Sequence, residues 1–470
     1  MGSSNSRPTF FQSLAPLIAM VVLLGIGYGV LRLAIEALLL CAAVVAGLIA
    51  WRLGSSFDDL QTGILQSMMK GMPAMLIVIV VGALIGSWIA AGTIPMLICY
   101  GLELISARYF LVTACLVCSV VSLVTGTSYG TVGTVGVAFM GVAQGLSVPL
   151  GQAAGAIVAG AYFGDKLSPF SDTTNLAPIA ARSNLFDHIR HTLWTTTPAW
   201  LLGLGIYLAL GWTMPVHAEV ALHATDAIMG VLRAHYVFHP VLLLPPFITL
   251  YLAIRKRPVI PGMLLSSTVA SGLAIVLQGS SLRSAVGSMV SGYHAHTGHE
   301  LVDKLLTRGG MDNMMHVTLI ALCAFAFGGI VQKAGMLDVL LERLLRVAHT
   351  RGRIVACSVI ASIATAVMTG SSFLSILIPG ELFAPAYRQQ GLAAKNLSRT
   401  TEDSGTVVVP LIPWSIAGVF MASTLGLESS FEYARWAIMC YTGVVFALIY
   451  GFTGFAIAPR IRDNESVPGS

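Results

Sequence analysis

Apolar segments long enough to cross a membrane recur along the whole chain. In the first half they lie at about Ala15–Leu31, Ala34–Trp51, Met72–Ala91 and Thr195–Trp212. The second half has further segments of this kind at Val237–Ile254, Val259–Leu277 and Met315–Gln332, and two more crossings near its end. A helix needs about 20 apolar residues to cross a hydrocarbon core of about 30 Å. The pattern therefore predicts an all-α polytopic membrane protein.

One apolar segment in the first half is too short to cross. Tyr109–Val124 has about 16 residues, and at about 1.5 Å per residue it reaches only about 24 Å. It stops at Thr125-Gly126-Thr127-Ser128, and Thr131–Ala143 leads away again. Irregular backbone at membrane depth is tolerated only where it is buried in protein or lines a cavity. We therefore expect a re-entrant hairpin with a hydroxyl-rich tip.

The most polar stretch between apolar segments runs from Gly164 to Pro178. It contains the carboxylates of Asp165 and Asp172, the ammonium of Lys166 and two prolines. An aspartate at the bilayer centre costs roughly 2.5–3.5 kcal/mol on insertion scales, so such residues usually face a polar cavity. Proline also frees backbone carbonyls, which need a new partner in lipid. The stretch predicts a broken helix that forms a cation site near the midplane; a polar loop at the membrane surface is the alternative.

The polar elements of the first half recur in the second half. A shift of 244 places Thr125–Ser128 on Thr369-Gly370-Ser371-Ser372, and a shift of 231 places Asp172 on Asp403. Such ordered self-similarity indicates an internal repeat. We expect each half to contain about five transmembrane helices, a re-entrant hairpin and a broken helix. An odd number of crossings makes the two halves inverted, as in alternating-access transporters.

Basic residues orient this arrangement. The clusters Arg255–Arg257 and Arg343–Arg353 should be cytoplasmic, because cytoplasmic loops carry an excess of Lys and Arg. Both termini then lie in the cytoplasm. The predicted organisation is a cytoplasmic tail over 1–14, a first repeat over 15–212, an external linker over 213–236, a second repeat over 237–457 and a cytoplasmic tail over 458–470.

Composition narrows the class further. The 470 residues are 56% hydrophobic and 10% charged, which excludes an ordinary soluble domain. The seven cysteines are scattered in apolar segments without metal-ligand or disulfide spacing. No Ser/His or His-Glu-x-x-His constellation suits an intramembrane enzyme, and a channel would need a continuous pore. We therefore expect a transporter with no enzymatic activity, no cofactor and no nucleic-acid partner.

Carboxylates, hydroxyls and carbonyls are the hard oxygen ligands that a small alkali cation prefers. A proton competes with such a cation for a carboxylate in a low-dielectric pocket, and this competition is sufficient for antiport. Asp172 is the foremost candidate. The residues predicted to bind Na+ or protons are Asp172, Asp403, Thr173, Thr174, Asn175, Ser404, Thr406, Thr125, Thr127, Ser128, Thr369, Ser371 and Ser372. Supporting roles are expected for Asp165, Lys166, Ser168, Ser171, Glu402 and Glu381, with Lys166 as an internal counter-ion.

Two adjacent motifs carry a family resemblance. Gly164-Asp165-Lys166-Leu167-Ser168-Pro169, followed by Ser171-Asp172-Thr173-Thr174-Asn175-Leu176-Ala177-Pro178, resembles the signature of the NhaC family of sodium/proton antiporters. That family belongs to the ion transporter superfamily, whose members pair two hairpins with two broken helices in an inverted repeat. The resemblance implies exchange of internal sodium for external protons across the inner (plasma) membrane of a bacterium. Superfamily members are often dimers, so a homodimer is an expected arrangement.

Relatives in the same family exchange malate for lactate together with sodium and protons, and this alternative stays open. A dicarboxylate would need a fixed cation in the site. Among the motif residues only Lys166 offers one, while the arginines cluster at the cytoplasmic edge. The sequence therefore favours plain sodium/proton exchange.

Overall fold

The computed structural model describes residues 7–213 and 218–459. In this part of the chain eight helices are long and apolar enough to cross a membrane, or up to ten if each of two bent helix pairs is one span. The prediction of an all-α polytopic membrane protein is confirmed. The predicted tails and linker fall partly outside the described residues, at 1–6, 214–217 and 460–470.

The helices follow one another with short connections. Those before residue 214 are α1 (Phe10–Val22), α2 (Ile35–Arg52), α3 (Phe57–Ala91), α4 (Thr93–Leu104), α5 (Phe110–Thr125), α6 (Ser128–Thr131), α7 (Val137–Gly145), α8 (Leu150–Leu167), α9 (Asp172–Ala181) and α10 (Leu185–Thr213). Those after it are α11 (Ala218–His235), α12 (Leu244–Ile254), α13 (Val259–Gln278), α14 (Leu282–Val290), α15 (Glu300–Leu306), α16 (Met311–Lys333), α17 (Met336–Val347), α18 (Arg351–Thr369), α19 (Ser372–Gln389), α20 (Ala394–Gly405), α21 (Ile416–Leu425), α22 (Phe431–Ala434) and α23 (Ile438–Thr453).

The third helix is longer than predicted. It begins at Phe57 rather than near Met72 and has 35 residues. Its start is fixed by a capping box, in which Ser56 and Asp59 bond each other's backbone N–H groups. At about 1.5 Å per residue the helix measures about 52 Å, well beyond a hydrocarbon core of about 30 Å. Its first turns therefore extend past the membrane or the helix is tilted.

Two other boundaries differ from the prediction. Helix α1 begins at Phe10, inside the predicted tail, where Thr9 and Gln12 form a capping box. The predicted linker is largely the helix α11, which lies against the end of α7 through a hydrogen bond from the Thr225 hydroxyl to the Gly145 carbonyl (3.1 Å). The linker was assigned from its polarity, whereas an amphipathic surface helix is equally polar on one face.

The two halves share a succession of elements at an offset of 243 to 244. Gly92 and Gly335 precede α4 and α17 with φ of +89° and +69°, and Gly126 and Gly370 end α5 and α18 with φ of +69° and +63°. This left-handed backbone favours glycine. The chain thus turns at both predicted tips, since α6 begins at Ser128 and α19 at Ser372. The opposite orientation of the halves stays a prediction.

The same offset corrects the predicted equivalence of two aspartates. Ser171 and Ser415 each cap the second part of a broken helix, by accepting bonds from the N–H groups of Thr174 and Gly418. These two caps are 244 residues apart, so the counterpart of Asp172 is Ile416 and not Asp403. Asp403 instead lies in the first part of the second broken helix, in α20.

Glycines set the close helix contacts that position the site. A Cβ atom at Gly63 on α3 would lie 2.8 Å from the Gly329 carbonyl oxygen on α16, and one at Gly329 would lie 2.6 Å from the Gly63 oxygen. On α8, a Cβ at Gly160 or Gly164 would clash with the backbone of α5. Backbones that approach this closely have no room for a side chain between them.

Candidate functional site

A cavity of about 50 Å³ lies where the two hairpin tips meet the two broken helices. A buried water needs roughly 10–15 Å³, so this volume accommodates an alkali cation with a few water molecules. The polar lining residues are Ser128 from the first tip, Ser371 and Ser372 from the second tip, Asp165 and Thr173 from the first broken helix, and Thr406 from the second. The aromatic rings of Tyr129, Tyr162 and Phe373 complete the wall.

Asp165 is the carboxylate of this cavity. It lies in the last turn of α8, just before the helix breaks, and is 7% exposed. The Ser128 hydroxyl donates a 2.8 Å hydrogen bond to its Oδ2 atom. The hydroxyl of Thr406, on the opposite wall, is buried without a hydrogen-bond partner among the described residues. One carboxylate and several hydroxyls therefore converge here, which is an oxygen set suited to a hard cation.

The neighbouring residue, Lys166, forms an ion pair with Asp403. Both side chains are 0% exposed. The Oδ1 atom of Asp403 also accepts a 3.0 Å hydrogen bond from the Thr195 hydroxyl on α10, while its Oδ2 atom has no partner in the described part of the chain. The pair joins the break in the first half to α20 of the second half. This pairing is what a counter-ion role of Lys166 requires, and the role itself stays a prediction.

A second buried network, centred on Thr174 and Glu402, holds the break between α8 and α9. The Thr174 hydroxyl donates to Oε1 of Glu402 (3.1 Å), and it lies 3.1 and 3.2 Å from the carbonyl oxygens of Asp165 and Lys166. Both carbonyls belong to the last turn of α8, where the regular helical pairing ends, and the Asp165 carbonyl also accepts a 3.1 Å bond from the Ser168 N–H. The Oε2 atom of Glu402 pairs with Nε2 of His188 at 2.5 Å. Glu402 thereby connects α9, α10 and α20.

A buried arginine lies one turn before Asp403 on α20. The Nη1 group of Arg399 donates to the Ala456 carbonyl (2.8 Å), and its guanidinium carbon lies 6.0 Å from the Tyr450 ring centroid. Its Nε and Nη2 groups have no acceptor among the described residues, although the side chain is 0% exposed. This fork of two parallel N–H groups is the one that binds a carboxylate in bidentate geometry.

The structure separates most of the predicted site residues into three groups. Those that line the cavity are Asp165, Ser128, Thr173, Ser371, Ser372 and Thr406. Those in the adjoining buried networks are Thr174, Lys166, Glu402 and Asp403. Those whose side chains bond backbone groups of their own tip, break or helix are Thr127, Thr369, Ser168, Ser171, Asn175 and Ser404.

Three predicted residues lie away from the cavity. Asp172 is exposed in the first turn of α9, a position that favours a carboxylate because of the helix dipole. Glu381 is exposed on α19. Thr125 lies with Thr127 beside a separate, mostly apolar pocket of about 130 Å³ next to Trp88. The structure therefore places Asp165, which was assigned a supporting role, where Asp172 was expected.

Sequence reasoning missed His188, Thr195 and Arg399. The first two lie on one face of α10, and His191 and Thr192 follow the same face at helical spacing, with every one of these side chains buried. Polar residues three to four positions apart in an otherwise apolar helix are a readable signal of a buried polar face. Arg399 gave no comparable signal.

Known proteins resemble the chain over most of its length. A family model described as the Na+/H+ antiporter family matches residues 160–455. The chain is 43% identical over 456 residues to an uncharacterized Na(+)/H(+) antiporter of Haemophilus influenzae, covering 96% of this chain and 97% of that protein. It is 36% identical over 420 residues to the Na(+)/H(+) antiporter NhaC of Alkalihalophilus pseudofirmus, covering 89% and 90%. It is 32% identical over 447 residues to the malate-2H(+)/Na(+)-lactate antiporter of Bacillus subtilis, covering 95% of each. The chain therefore belongs to the NhaC family of Na+/H+ antiporters, and with its apolar helices it is a multi-pass membrane transporter.

Proposed function

We propose that this protein exchanges sodium ions for protons across the bacterial plasma membrane, and that the two compete for Asp165. The cavity at the meeting point of both tips and both breaks carries the proposal, because it presents a carboxylate and hydroxyls at a single place. Two curated relatives are named as Na(+)/H(+) antiporters. The sodium ion and the proton are cargo, and the proposal needs no cofactor.

The charges around the cavity support competition. Among the described residues, the buried Asp, Glu, Lys and Arg side chains are three carboxylates and two bases, namely Asp165, Glu402, Asp403, Lys166 and Arg399. With all five ionised, these side chains sum to one excess negative charge, before any charge on the His188 ring that pairs with Glu402. An uncompensated charge is costly in a low-dielectric interior. One sodium ion or one proton neutralises it, so binding of either favours release of the other.

We propose that transport proceeds by alternating access with the halves inverted and both termini cytoplasmic. The shared order of elements in the two halves and the basic clusters support this arrangement. Single-cysteine labelling tests it. Asp226→Cys, on α11, should react with an impermeant reagent from outside, and Lys256→Cys should react only from inside. The reverse pattern would contradict this orientation. Inversion of the halves further requires that Arg353→Cys, at the start of α18, react from inside and Arg108→Cys, just before the equivalent helix α5, from outside; labelling of both from one side would contradict the inverted arrangement.

Proton flux in proteoliposomes tests the role of Asp165. Asp165→Asn keeps the size of the side chain and can still accept the Ser128 bond, but it cannot exchange a cation for a proton. Sodium-driven proton flux should fall to background, while the elution profile and thermal stability stay near those of the wild type. Asp172→Asn is the matched control, because it removes the same charge seven residues further on and should retain most of the flux.

Full activity in Asp165→Asn would refute the assignment of the site to this carboxylate. Loss in Asp172→Asn with activity kept in Asp165→Asn would instead restore the sequence-based choice.

A second candidate is exchange of small carboxylates coupled to sodium and protons. The Nε and Nη2 groups of Arg399, which lack acceptors among the described residues, favour this function, because they supply a fixed, buried cation other than Lys166. One relative is named a malate/lactate antiporter. Proteoliposomes should be offered sodium alone and then sodium with malate and lactate on opposite sides. A response to the carboxylates and none to sodium alone would select this function, and Arg399→Gln should then abolish it.

A further inference from the structure

Another pocket, larger than the two described above, lies at the predicted cytoplasmic end of the broken helices. It has a volume of about 390 Å³ and is formed where α9 passes into α10 and where α19 passes into α20. Its charged lining side chains are Arg182, Arg388, Lys395 and Asp187. Arg182 and Arg388 are exposed and Lys395 is half-buried, so the pocket opens to solvent or to the membrane surface.

The cations of this pocket have no ion-pair partner in the described part of the chain. Among the described residues, none of the three basic side chains forms an ion pair. The three cations and Asp187 leave two excess positive charges on the wall. The first turn of α20 also lacks a side-chain cap, and the N-terminal end of the helix dipole adds to the positive potential. Like charges that share a cleft repel one another unless an anion is present.

The backbone conformation of Arg182 also supports a role of its side chain in this pocket. Arg182 ends α9 with φ of +61°, in the left-handed region where helices commonly end on glycine. A residue with a side chain is less favourable there than glycine. The chain keeps an arginine at this position in spite of that cost, and the arginine lines the pocket.

We propose that this pocket binds a phosphate-bearing anion, supplied by the headgroup of an anionic lipid or by a soluble phosphate ester. Two guanidinium groups match phosphate oxygens in bidentate geometry, and an ammonium adds a point charge. A volume of 390 Å³ is within the range of about 300–1,000 Å³ for small-molecule sites and exceeds what a bare phosphate would fill. Basic pockets between helices on the cytoplasmic side are typical of lipid headgroup sites.

The site is distinct from the cavity at Asp165, and its existence does not depend on which cargo is transported. Its position gives it a consequence for transport. The pocket is built from the ends of α9 and α20, which carry Thr173 and Asp403 further along. Three cations at this end of the broken helices repel sodium ions nearby, and a bound anion cancels that repulsion.

Binding of phosphatidylglycerol to the purified full-length protein tests the proposal. The pocket variant combines Arg182→Gly, Arg388→Gln and Lys395→Gln, where glycine preserves the left-handed backbone. The control variant combines Arg255→Gln, Lys256→Gln and Arg257→Gln, which removes three exposed cations from another part of the same predicted face. Phosphatidylglycerol should bind the wild type and the control equally, and the pocket variant at least tenfold more weakly. Phosphatidylcholine, which carries no net charge, should bind all three proteins weakly.

A competition arm identifies the source of the phosphate. Displacement of phosphatidylglycerol by millimolar glycerol phosphate assigns the site to soluble phosphate esters as well, and lack of displacement assigns it to lipid. Equal binding by the pocket variant and the wild type would overturn the proposal, as would an equal loss in the control variant. Thermal unfolding of each variant confirms that it is folded before binding is compared.

Discussion

Breaking the ion pair between Lys166 and Asp403 should be among the most destabilising single changes in the protein. Lys166→Met keeps much of the side-chain volume but leaves the Asp403 carboxylate at 0% exposure. Its Oδ1 atom would retain only the Thr195 hydroxyl, and its Oδ2 atom already lacks a partner among the described residues. Removing one partner of a buried pair costs about 3–5 kcal/mol, because the other charge stays buried without compensation. We expect that loss in the free energy of unfolding.

The double variant separates an ion pair from mere packing. Lys166→Met with Asp403→Leu removes both charges, and replacing a buried pair by apolar groups is often neutral or stabilising by about 1–4 kcal/mol. The double variant should therefore recover most of the stability that the single variant loses. Lys304→Met is a matched control, because Lys304 pairs with Glu300 on the surface at 70% and 82% exposure and should lose less than about 0.5 kcal/mol.

Unfolding can be followed with a thiol-reactive dye in mild detergent, since Cys115, Cys118 and Cys440 are at most 1% exposed and become reactive only on unfolding. A single variant as stable as the wild type would refute the reasoning. So would a double variant that is no more stable than the single one, because the two residues would then contribute independently.

The remaining predictions concern the walls of the cavity. Gly164→Ala should abolish sodium-driven proton flux and destabilise the protein. The added methyl would clash with the backbone of α5 at Ser119 and Leu123 and displace the neighbouring Asp165. Gly205→Ala is the control and should behave as the wild type, because a Cβ atom at this position on α10 meets nothing within 4 Å. Ser371→Ala should weaken sodium binding, measured with a radioactive tracer, because Ser371 lines the cavity. Thr127→Ala should leave the sodium affinity nearly unchanged and lower the free energy of unfolding by about 1 kcal/mol, because it removes the cap of α6. Equal loss of sodium affinity in Ser371→Ala and Thr127→Ala would place the ion between the two tips rather than in the cavity.

The hairpin tips were predictable from sequence because their geometry demands particular residues. A left-handed turn favours glycine, and the helix that follows favours a hydroxyl cap, so Gly126-Thr127 and Gly370-Ser371 recur with the same spacing as the structure shows. The alignment of the two broken helices was wrong, because it placed one aspartate, Asp172, on another, Asp403. The caps Ser171 and Ser415 carry the alignment, since a cap is tied to the start of a helix and a carboxylate is not.

Burial of the site charges could not be read from position along the chain. Arg399 is five residues into α20, about 7–8 Å from its start, and therefore resembled the interfacial arginines. It is buried because α10, α18 and α23 pack around that short helix, and these neighbours are far apart in sequence. His188 is likewise close to the start of its helix, α10, and yet is fully buried. Depth in the protein depends on long-range packing, which charge counting along the sequence does not capture.

The close contact between α3 and α16 has a consequence for biosynthesis. Gly63 is synthesised 266 residues before Gly329. At about 5–20 residues per second, α3 is therefore complete roughly 10 to 50 s before the part of α16 that it contacts. During this interval the glycine face of α3 is covered by lipid or by another chain. A ribosome that stalls between the halves would release a protein with this face open, and such truncated chains are candidates for recognition by the quality-control proteases of the membrane.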